Sequence, residues 1–482
     1  MRQVYDYRRI NFGKTDAQTE RSRHPELLKG GFFDIENIAE KALNQDTFLF
    51  LGYKGSGKTA LAEHLSLTKE SYDCHIDCLQ MRDFPYRSFA NAMLPDESPE
   101  VQTSLAWRWL LLSRVFSNLL DDGSATTKRA EEVHDLSDLL TKLGLANVRS
   151  VADFARRSVS SGVRVKLGEF FEFEKQGESI SQNGSFVDVI DLFKDLISSF
   201  STNRKLIISI DGLDDILIAD DIQFIAIGTL FTEVNELNAF FTINGLPIKI
   251  IVLCRTDILG RIPNTNKNKI VQDLSFSLNW YEPGLESYKQ CSLIKIGNLR
   301  CKLVYPDIDD MLEAFFPRKY NNRSIEQALL EFTRHTPRDY IQLLIKIQSN
   351  CNSPELSFSD IRKGITDYSM KYFLGEIKDE LVGYVKPELV DPVFTLLSSL
   401  HKMHFTFEEA YAQSKAIRSL SAVDLQQVFG VLFECSAIGN MYSYEENKVR
   451  YSFKFRNPIA VFNPGELITI HKGLWKALNL NF

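Results

Sequence analysis

The feature that most constrains this chain is a short apolar run, Phe48 to Leu51, that leads into a glycine-rich loop and then a helical pattern. The loop, Gly52 to Thr59, has the spacing Gly-x4-Gly-Lys-Thr. Glycines at this spacing let backbone N–H groups approach phosphate oxygens, a lysine reaches the β- and γ-phosphates, and a Ser or Thr hydroxyl ligates magnesium. A helix that follows at once adds its positive dipole end. The sequence therefore predicts a nucleotide site.

We call residues 52–59 the phosphate loop. The nucleotide is expected to contact the loop and the residue after it, namely Gly52, Tyr53, Lys54, Gly55, Ser56, Gly57, Lys58, Thr59 and Ala60. Lys58 is also a candidate catalytic residue, and Thr59 a magnesium ligand. A second Gly-Lys-Thr, at 13–15, lacks both an upstream strand and an earlier glycine at the required spacing, so it does not predict a second site.

Composition sets broad limits on the class of protein. The 482 residues are 44% apolar and 25% charged, which is typical of a soluble protein with two to four domains. A net charge of −7 argues against a surface devoted to nucleic acid, although a local basic groove would not show in that sum. Seven cysteines without a paired framework favour a reducing compartment. With no membrane-length apolar run and no signal peptide, we expect a cytoplasmic protein without a membrane partner.

The pattern of strands and helices predicts an α/β fold. Residues 205–211 and 248–254 are continuous apolar, β-branched runs, and helical patterns precede and separate them. This alternation is typical of a three-layer parallel sheet, here that of a P-loop NTPase, with the nucleotide at the carboxyl ends of the strands. After about residue 300 the strand patterns stop. Nearer the end of the sequence, three short helical patterns and then a hairpin follow in the order of a winged helix.

These patterns divide the chain into four predicted regions. They are a polar N-terminal segment at 1–31, a P-loop ATPase domain at 32–300, a helical lid at 301–385 and a winged-helix-like domain at 386–482. Within the ATPase domain, residues of about 78–185 form a largely helical insertion with a strand or hairpin arm at 163–173. Trp107 and Trp109 in this insertion are expected in its core.

Acidic residues at the end of the 205–211 strand are candidates for metal binding and catalysis. Asp211 can hold the magnesium ion that Thr59 also ligates, directly or through water. Asp214 or Asp215 can be turned toward the γ-phosphate and its attacking water, because phosphoryl transfer depends mainly on positioning and charge neutralisation. Either acid could instead cap a following helix. The sequence does not decide which of Asp214 and Asp215 acts on the attacking water.

Two arginines are candidates for contact with the γ-phosphate. Arg255 ends the next strand and should lie beside Asp211 at the same sheet edge, although Asp257 is available to pair with it. Arg338 opens a helix directly after a proline. A cation is unfavourable at a helix N-terminus, so contact with a phosphate from a second domain would explain Arg338 better than an ordinary surface position.

Together, residues 52–59, 208–215, 253–256 and 336–344 resemble the motifs of the STAND ATPases (signal-transducing ATPases with numerous domains) and of initiator-type AAA+ proteins. The chain is more narrowly similar to prokaryotic stand-alone P-loop ATPases, which are often encoded near mobile elements and anti-phage defence genes. The residues that carry this narrower similarity are 255–258, 266–267, 272–273, 278–280 and 471–478. The resemblance implies ATP and Mg²⁺ as ligands. Gly212 stands where AAA+ proteins have a second acid after Asp211, which implies slow or regulated hydrolysis, and no arginine finger is assigned.

Three functional hypotheses follow. The first is an ATP-dependent switch, in anti-phage defence, whose nucleotide state controls binding of a protein partner or self-assembly. The second is a DNA-binding ATPase of initiator or loader type. It is not favoured, because the third helix of the winged-helix pattern, 422–434, has two acids and no Lys or Arg that could contact DNA phosphates. The residues that could still contact DNA are Gln426 and Gln427 of that helix and the hairpin cations Lys448, Arg450, Lys454 and Arg456. The third is a nucleotide-binding scaffold with little hydrolysis.

Overall fold

The structure is a computed structural model that describes residues 5–82, 84–85, 88–89, 98–161, 186–213, 221–262, 267–415, 421–445 and 448–480. Its strands are β1 (Leu49–Gly52), β2 (Cys74–Gln80), β3 (Thr126–Thr127), β4 (Phe200–Ser201), β5 (Lys205–Asp211), β6 (Ile248–Arg255), β7 (Ser275–Ser277), β8 (Lys319–Tyr320), β9 (Arg323–Ser324), β10 (His404–Phe405), β11 (Ile438–Glu445), β12 (Lys448–Ser452) and β13 (Leu467–Ile470).

The α-helices of this part of the chain are α1 (Ala17–Arg23), α2 (Pro25–Gly30), α3 (Ile38–Asn44), α4 (Lys58–Thr68), α5 (Pro99–Asp121), α6 (Ala130–Lys142), α7 (Val151–Ser160), α8 (Phe186–Ser198), α9 (Asp221–Ile243), α10 (Thr256–Leu259), α11 (Lys267–Leu274), α12 (Ser292–Lys302), α13 (Met311–Phe315), α14 (Ile325–Leu330), α15 (Pro337–Ser349), α16 (Phe358–Tyr368), α17 (Leu374–Leu381), α18 (Pro387–Ser399), α19 (Phe407–Ser414) and α20 (Ala422–Glu434). None of them is both long enough and apolar enough to cross a membrane.

The chain forms two compact units. The sheet unit comprises Glu36–Gly52 and Leu61–Ser277, and the loop unit comprises Met1–Ile35, Tyr53–Ala60 and Leu278–Phe482. Most of the phosphate loop therefore packs with the carboxyl-terminal half of the sequence, although β1 precedes it directly. The four regional boundaries drawn from the sequence stay a prediction.

A five-stranded parallel sheet forms the centre of the sheet unit, in the order β2-β5-β6-β1-β7. The predicted α/β fold with a parallel sheet is therefore confirmed. β5 is buried along almost its whole length and β6 along most of its length, as expected for strands covered on both faces. The edge strand β7 was not predicted, because its three residues, Ser-Phe-Ser, carry too little apolar pattern to be read as a strand.

Helices dominate the insertion between β2 and β5. The longest, α5, begins with a Ser98 side-chain cap followed by Pro99. Trp107 and Trp109 are buried, and their indole N–H groups donate to Ala226 O at 3.0 Å and Ser158 Oγ at 3.2 Å. Their expected place in the core is confirmed. The strand or hairpin arm predicted at 163–173 lies outside the described residues.

In the loop unit, the helices α12 to α17 are interrupted by a two-stranded ladder, β8 with β9. The sequence did not predict this ladder, because four residues are too few for a periodic signal. The polar N-terminal segment packs closely on these helices: Tyr7 and Phe12 are buried, and the Arg300 guanidinium donates to Glu20 at 2.7 Å. The apolar anchors of this segment are separated by charged residues, which is why the sequence indicated only a polar segment here.

The C-terminal part of the loop unit has three helices, α18, α19 and α20, and an antiparallel sheet in the order β10-β13-β11-β12. Three helices and a hairpin were expected here, and all of them are present. β12 is the outer strand, and Lys448 to Tyr451 are exposed along it.

Candidate functional site

The glycines of the phosphate loop adopt backbone conformations that few other residues tolerate. Gly55 has φ 82° and Gly57 has φ 98°. A Cβ atom on Gly55 would lie 3.0 Å from the Cβ atom of Arg338 and 3.3 Å from Thr336 Oγ1. Both steric space and backbone angle therefore require glycine at position 55, and the loop can present its backbone N–H groups without side chains in the way.

The N-terminus of α15 packs directly on this loop. The backbone N–H of Arg338 donates to Gly55 O at 3.3 Å. The helix begins where Thr336 accepts the Asp339 N–H at 3.2 Å and Pro337 occupies the first turn. From the other direction, Trp280 Nε1 donates to Ser56 O at 2.8 Å. These contacts fix two carbonyl groups of the loop, and a turn within it is closed by the Ser56 N–H, which donates to Tyr53 O at 3.1 Å.

Lys58 and Ser56 supply the polar side chains inside the loop. Lys58 Nζ donates to Tyr53 O at 3.1 Å, so the lysine folds back across its own loop. The hydroxyl oxygen of Ser56 is buried and has no hydrogen-bond partner among the described residues. A buried hydroxyl without a partner is costly, and an oxyanion held in the loop is a ligand to which it could donate. The loop therefore fits a phosphate group.

A cluster of charged side chains adjoins the loop. Lys54 Nζ lies 3.3 Å from Glu376 Oε2, and Arg338 Nη1 lies 3.6 Å from the same oxygen. Lys54 and Arg338 are thus two cations beside the glycine turn, and one carboxylate from α17 faces both. Arg338, predicted to reach a phosphate, is placed against the phosphate loop by these contacts.

Behind α15, a buried ion-pair network anchors the helix start. The Arg334 guanidinium donates to Asp339 at 2.9 and 3.1 Å and to Glu380 at 2.7 Å, and the Tyr372 hydroxyl donates to Asp339 at 3.0 Å. Burial alone would raise the pKa of Asp339, but the Arg334 charge holds it below its usual value. Burial lowers the pKa of Arg334, yet Asp339 and Glu380 together keep it well above its usual value. Both groups are therefore charged in the folded protein.

Two buried histidines adjoin this network. His335, at φ 51°, stacks on Phe455 with ring centroids 5.2 Å apart, and Arg456 lies over the same phenylalanine at 5.4 Å. Burial, and then the Arg456 charge, lowers the pKa of His335 to about 3. Burial, and then the Arg334 charge, lowers the pKa of His471 to about 3. Both rings are neutral at physiological pH, so they act as aromatic packing groups beside the start of α15.

In the sheet unit, the carboxyl ends of neighbouring strands bring Asp211 and Arg255 to one edge. Ile210 of β5 is in register with Val252 of β6, and Gly52 of β1 is in register with Arg255. Asp211 is 6% exposed, and its carboxylate accepts the N–H of Gly212 at 2.8 Å. The neighbouring strand ends expected for Asp211 and Arg255 are therefore present.

Arg255 is paired with an acid two residues later, in the first turn of α10. Its Nε and Nη2 atoms donate to Asp257 at 3.0 and 2.7 Å. This is the pairing that the sequence left open as the alternative to a phosphate contact. Asp214 and Asp215 lie outside the described residues, so their role stays a prediction.

Two residues that contact the phosphate loop were not recognised as site residues from the sequence. Trp280 lies 224 positions after Ser56 in the chain, and Glu376 lies on a helix that carries no motif. No spacing rule connects either residue with the glycines. The one available signal was Glu376 and Glu380 on successive turns of a helix, which places two acids on one face.

Comparison with known proteins gives only a weak structural likeness to solved structures. No family model matches the chain, and no curated protein matches it. The crystal structure of Cdc6p from Pyrobaculum aerophilum is similar with a TM-score of 0.33 and 12% identity, over 94% of this chain and 95% of that one. A likeness at this level assigns no function, so the fold class rests on the strand order and the position of the phosphate loop.

Proposed function

We propose that this protein binds ATP in its phosphate loop, hydrolyses it slowly, and uses its nucleotide state as a switch. The observation that carries the proposal is the pair of positive-φ glycines, Gly55 and Gly57, between a parallel strand and the helix that begins at Lys58. This order of strand, loop and helix provides backbone N–H groups, a lysine and a helix N-terminus for one anion.

The remaining site residues take their proposed roles from chemistry. Lys58 binds the β- and γ-phosphates. The Thr59 hydroxyl and the Asp211 carboxylate are oxygen ligands of the type that Mg²⁺ prefers, and the ion would offset phosphate charge. Asp214 or Asp215 orients the attacking water, while Arg255 and Arg338 neutralise the charge that develops on the γ-phosphate. With Gly212 after Asp211 in place of an acid, turnover is slow.

The switch follows from the packing of α15 on the loop. A helix whose backbone donates to Gly55 O and whose Arg338 side chain lies beside the same glycine is affected by whatever occupies the loop. We propose that occupancy alters this contact and thereby the surface offered to a protein partner or to further copies of the chain. Anti-phage defence is the setting that the resemblance of the motifs favours.

The test measures ATP binding by calorimetry and phosphate release in the same preparation. Lys58→Ala should weaken ATP binding roughly 10- to 100-fold, because a hydrogen bond to a charged group contributes about 1.5–3 kcal/mol. Asp211→Ala should lower turnover in the presence of Mg²⁺. Lys14→Ala, in the second Gly-Lys-Thr, is the matched control and should change neither quantity. Unchanged binding and turnover in Lys58→Ala would overturn the site, and binding without turnover in the wild type would favour the scaffold.

One observation favours the DNA-binding alternative. The hairpin of β11 and β12 exposes Lys448 and Arg450 together with Tyr444 and Tyr451, a mixture suited to a nucleic-acid backbone and bases. The other two cations of this hairpin region are engaged elsewhere. Lys454 pairs with Glu434 at 3.0 Å, and the Arg456 guanidinium lies over the aromatic rings near His335.

DNA binding is tested by fluorescence anisotropy with labelled duplex at several salt concentrations. A loader-type ATPase should bind more tightly with ATP, and its affinity should fall steeply with salt. The double variant Lys448→Glu, Arg450→Glu should then abolish binding. The switch hypothesis expects weak binding that does not depend on ATP.

A further inference from the structure

One carboxylate faces both cations that flank the glycine turn of the phosphate loop. Glu376 Oε2 lies 3.3 Å from Lys54 Nζ and 3.6 Å from Arg338 Nη1. The oxygen itself is buried, and within the described part of the chain it accepts no hydrogen bond. This carboxylate oxygen places negative charge beside the two cations, as a phosphate oxygen of a bound nucleotide would.

These ion pairs are suited to exchange rather than to permanent structure. Lys54 and Arg338 are about one quarter exposed, so solvent screens both contacts. Neither contact reaches Glu376 Oε2 with hydrogen-bond geometry, whereas the neighbouring pair of Arg334 and Asp339 has two hydrogen bonds in a buried site. A nucleotide phosphate has more charge and more acceptor oxygens than a carboxylate, so it would take over the two cations.

The helix that carries Glu376 has a second, firmer attachment. One turn later, Glu380 accepts from Arg334 at 2.7 Å in the buried network. Release of Glu376 would therefore free the first turn of α17 while its last turn stays fixed.

A turn of π-helix, Ser369–Phe373, precedes α17 and connects it to the C-terminal segment. The Ser369 hydroxyl donates to Gly473 O at 2.6 Å and accepts the Ala477 N–H at 3.0 Å. Single π turns are uncommon and occur often at functional sites. A change at the start of α17 is therefore adjacent to the contacts that hold residues 473–477.

We infer that Glu376 competes with the phosphates of a bound nucleotide for Lys54 and Arg338, and that its release transmits nucleotide binding through α17 to the C-terminal segment. This inference rests on the proposed ATP site. It adds Glu376 as a positioning residue that lowers the affinity for ATP, because its carboxylate competes for the two cations. Glu376 touches no reacting atom; it acts through the two cations.

The first experiment compares Glu376→Gln with Asp379→Asn, which removes one acid from an exposed position of the same helix. ATP affinity, measured by calorimetry, should rise about three- to tenfold in Glu376→Gln, as expected for loss of a partly screened competitor. Asp379→Asn should change it less than about twofold. In a Lys54→Met, Arg338→Met background, Glu376→Gln should have no effect, because the two cations for which it competes are gone.

Hydrogen exchange gives a second readout that a purely structural role would not change. In the wild type, ATP should increase amide exchange in the first turn of α17 and in residues 473–477. In Glu376→Gln, these segments should exchange at the higher rate without ATP and change little when it is added. A wild-type pattern in that variant overturns the transmission step.

The outcomes separate this inference from the proposed function. Wild-type ATP binding that depends on Lys58, together with unchanged or weaker binding in Glu376→Gln, overturns the competition and leaves the ATP site intact. Failure of the wild type to bind ATP, its analogues or pyrophosphate overturns both. Tighter binding that persists in the Lys54→Met, Arg338→Met background assigns the effect to the general fold and also overturns the competition.

Discussion

The end of β6 and the start of α15 each carry an arginine that the sequence marks as a phosphate contact, and the two differ in their acidic partners. Arg255 is held by Asp257, two residues later, through two hydrogen bonds. Arg338 faces Glu376, which lies on a separate helix, α17, across an ion pair of 3.6 Å. An acid nearby in sequence engages two nitrogen atoms of its arginine in hydrogen bonds, whereas the acid from a remote helix lacks hydrogen-bond geometry and leaves the arginine more able to bind a new anion.

The comparison teaches that the environment of an arginine, and not its place in a motif, decides whether it can respond to a ligand. Around Arg338 the charged residues fall into two groups: a buried network that fixes the backbone and a partly exposed pair that can exchange. Around Arg255 the ion pair with Asp257 is local in sequence. Three pairs of substitutions test this distinction.

The largest effect is expected where the buried network is broken. Asp339→Asn removes the charge that compensates buried Arg334, which should lower the free energy of unfolding by about 3–5 kcal/mol. Asp257→Asn makes the same exchange at the partly exposed pair with Arg255 and should cost about 1 kcal/mol or less. Urea unfolding of both variants measures the difference. Equal losses would mean that burial does not separate the two acids.

A smaller effect is expected from crowding Arg338 out of its place. Gly55→Ala puts a Cβ 3.0 Å from that of Arg338, whereas Gly383→Ala, at a similar φ of 84°, meets nothing within 4 Å. Both variants bear the strain of a positive φ, about 1–2 kcal/mol. Only Gly55→Ala should also weaken ATP binding, roughly 100-fold, or about 2.7 kcal/mol. Calorimetry on the folded variants checks this, and equal binding by both would show that the loop tolerates a side chain.

Local patterns were enough to predict the sheet and the phosphate loop. Continuous apolar runs identified β5 and β6, and the spacing of Gly55, Gly57 and Lys58 identified the loop, because these signals lie within a few residues. The helical start at Arg338 was also predicted, from the proline that precedes it, Pro337.

What the sequence could not predict depends on contacts between distant segments. The hydrogen bond from Trp280 to Ser56 and the ion pair of Glu376 with Lys54 join parts of the chain that no periodicity relates. The short strands β7, β8 and β9 exist because of their pairing partners, since three or two residues have no pattern of their own. The burial of Tyr7 and Phe12 likewise depends on the helices against which they pack.

The direct test of the two arginines has the smallest expected effect. Arg338→Ala should weaken ATP binding about tenfold, or about 1.4 kcal/mol, because its exchangeable partner leaves it available to phosphate. Arg255→Ala should change binding less than about threefold, because Nε and Nη2 of Arg255 already donate to Asp257. If Arg255 acts only on the γ-phosphate during hydrolysis, its variant will show a lower turnover rate with unchanged affinity. Calorimetry with ATP and Mg²⁺ measures both affinities. A larger loss of affinity in Arg255→Ala than in Arg338→Ala would show that a local acid does not prevent an arginine from binding a ligand.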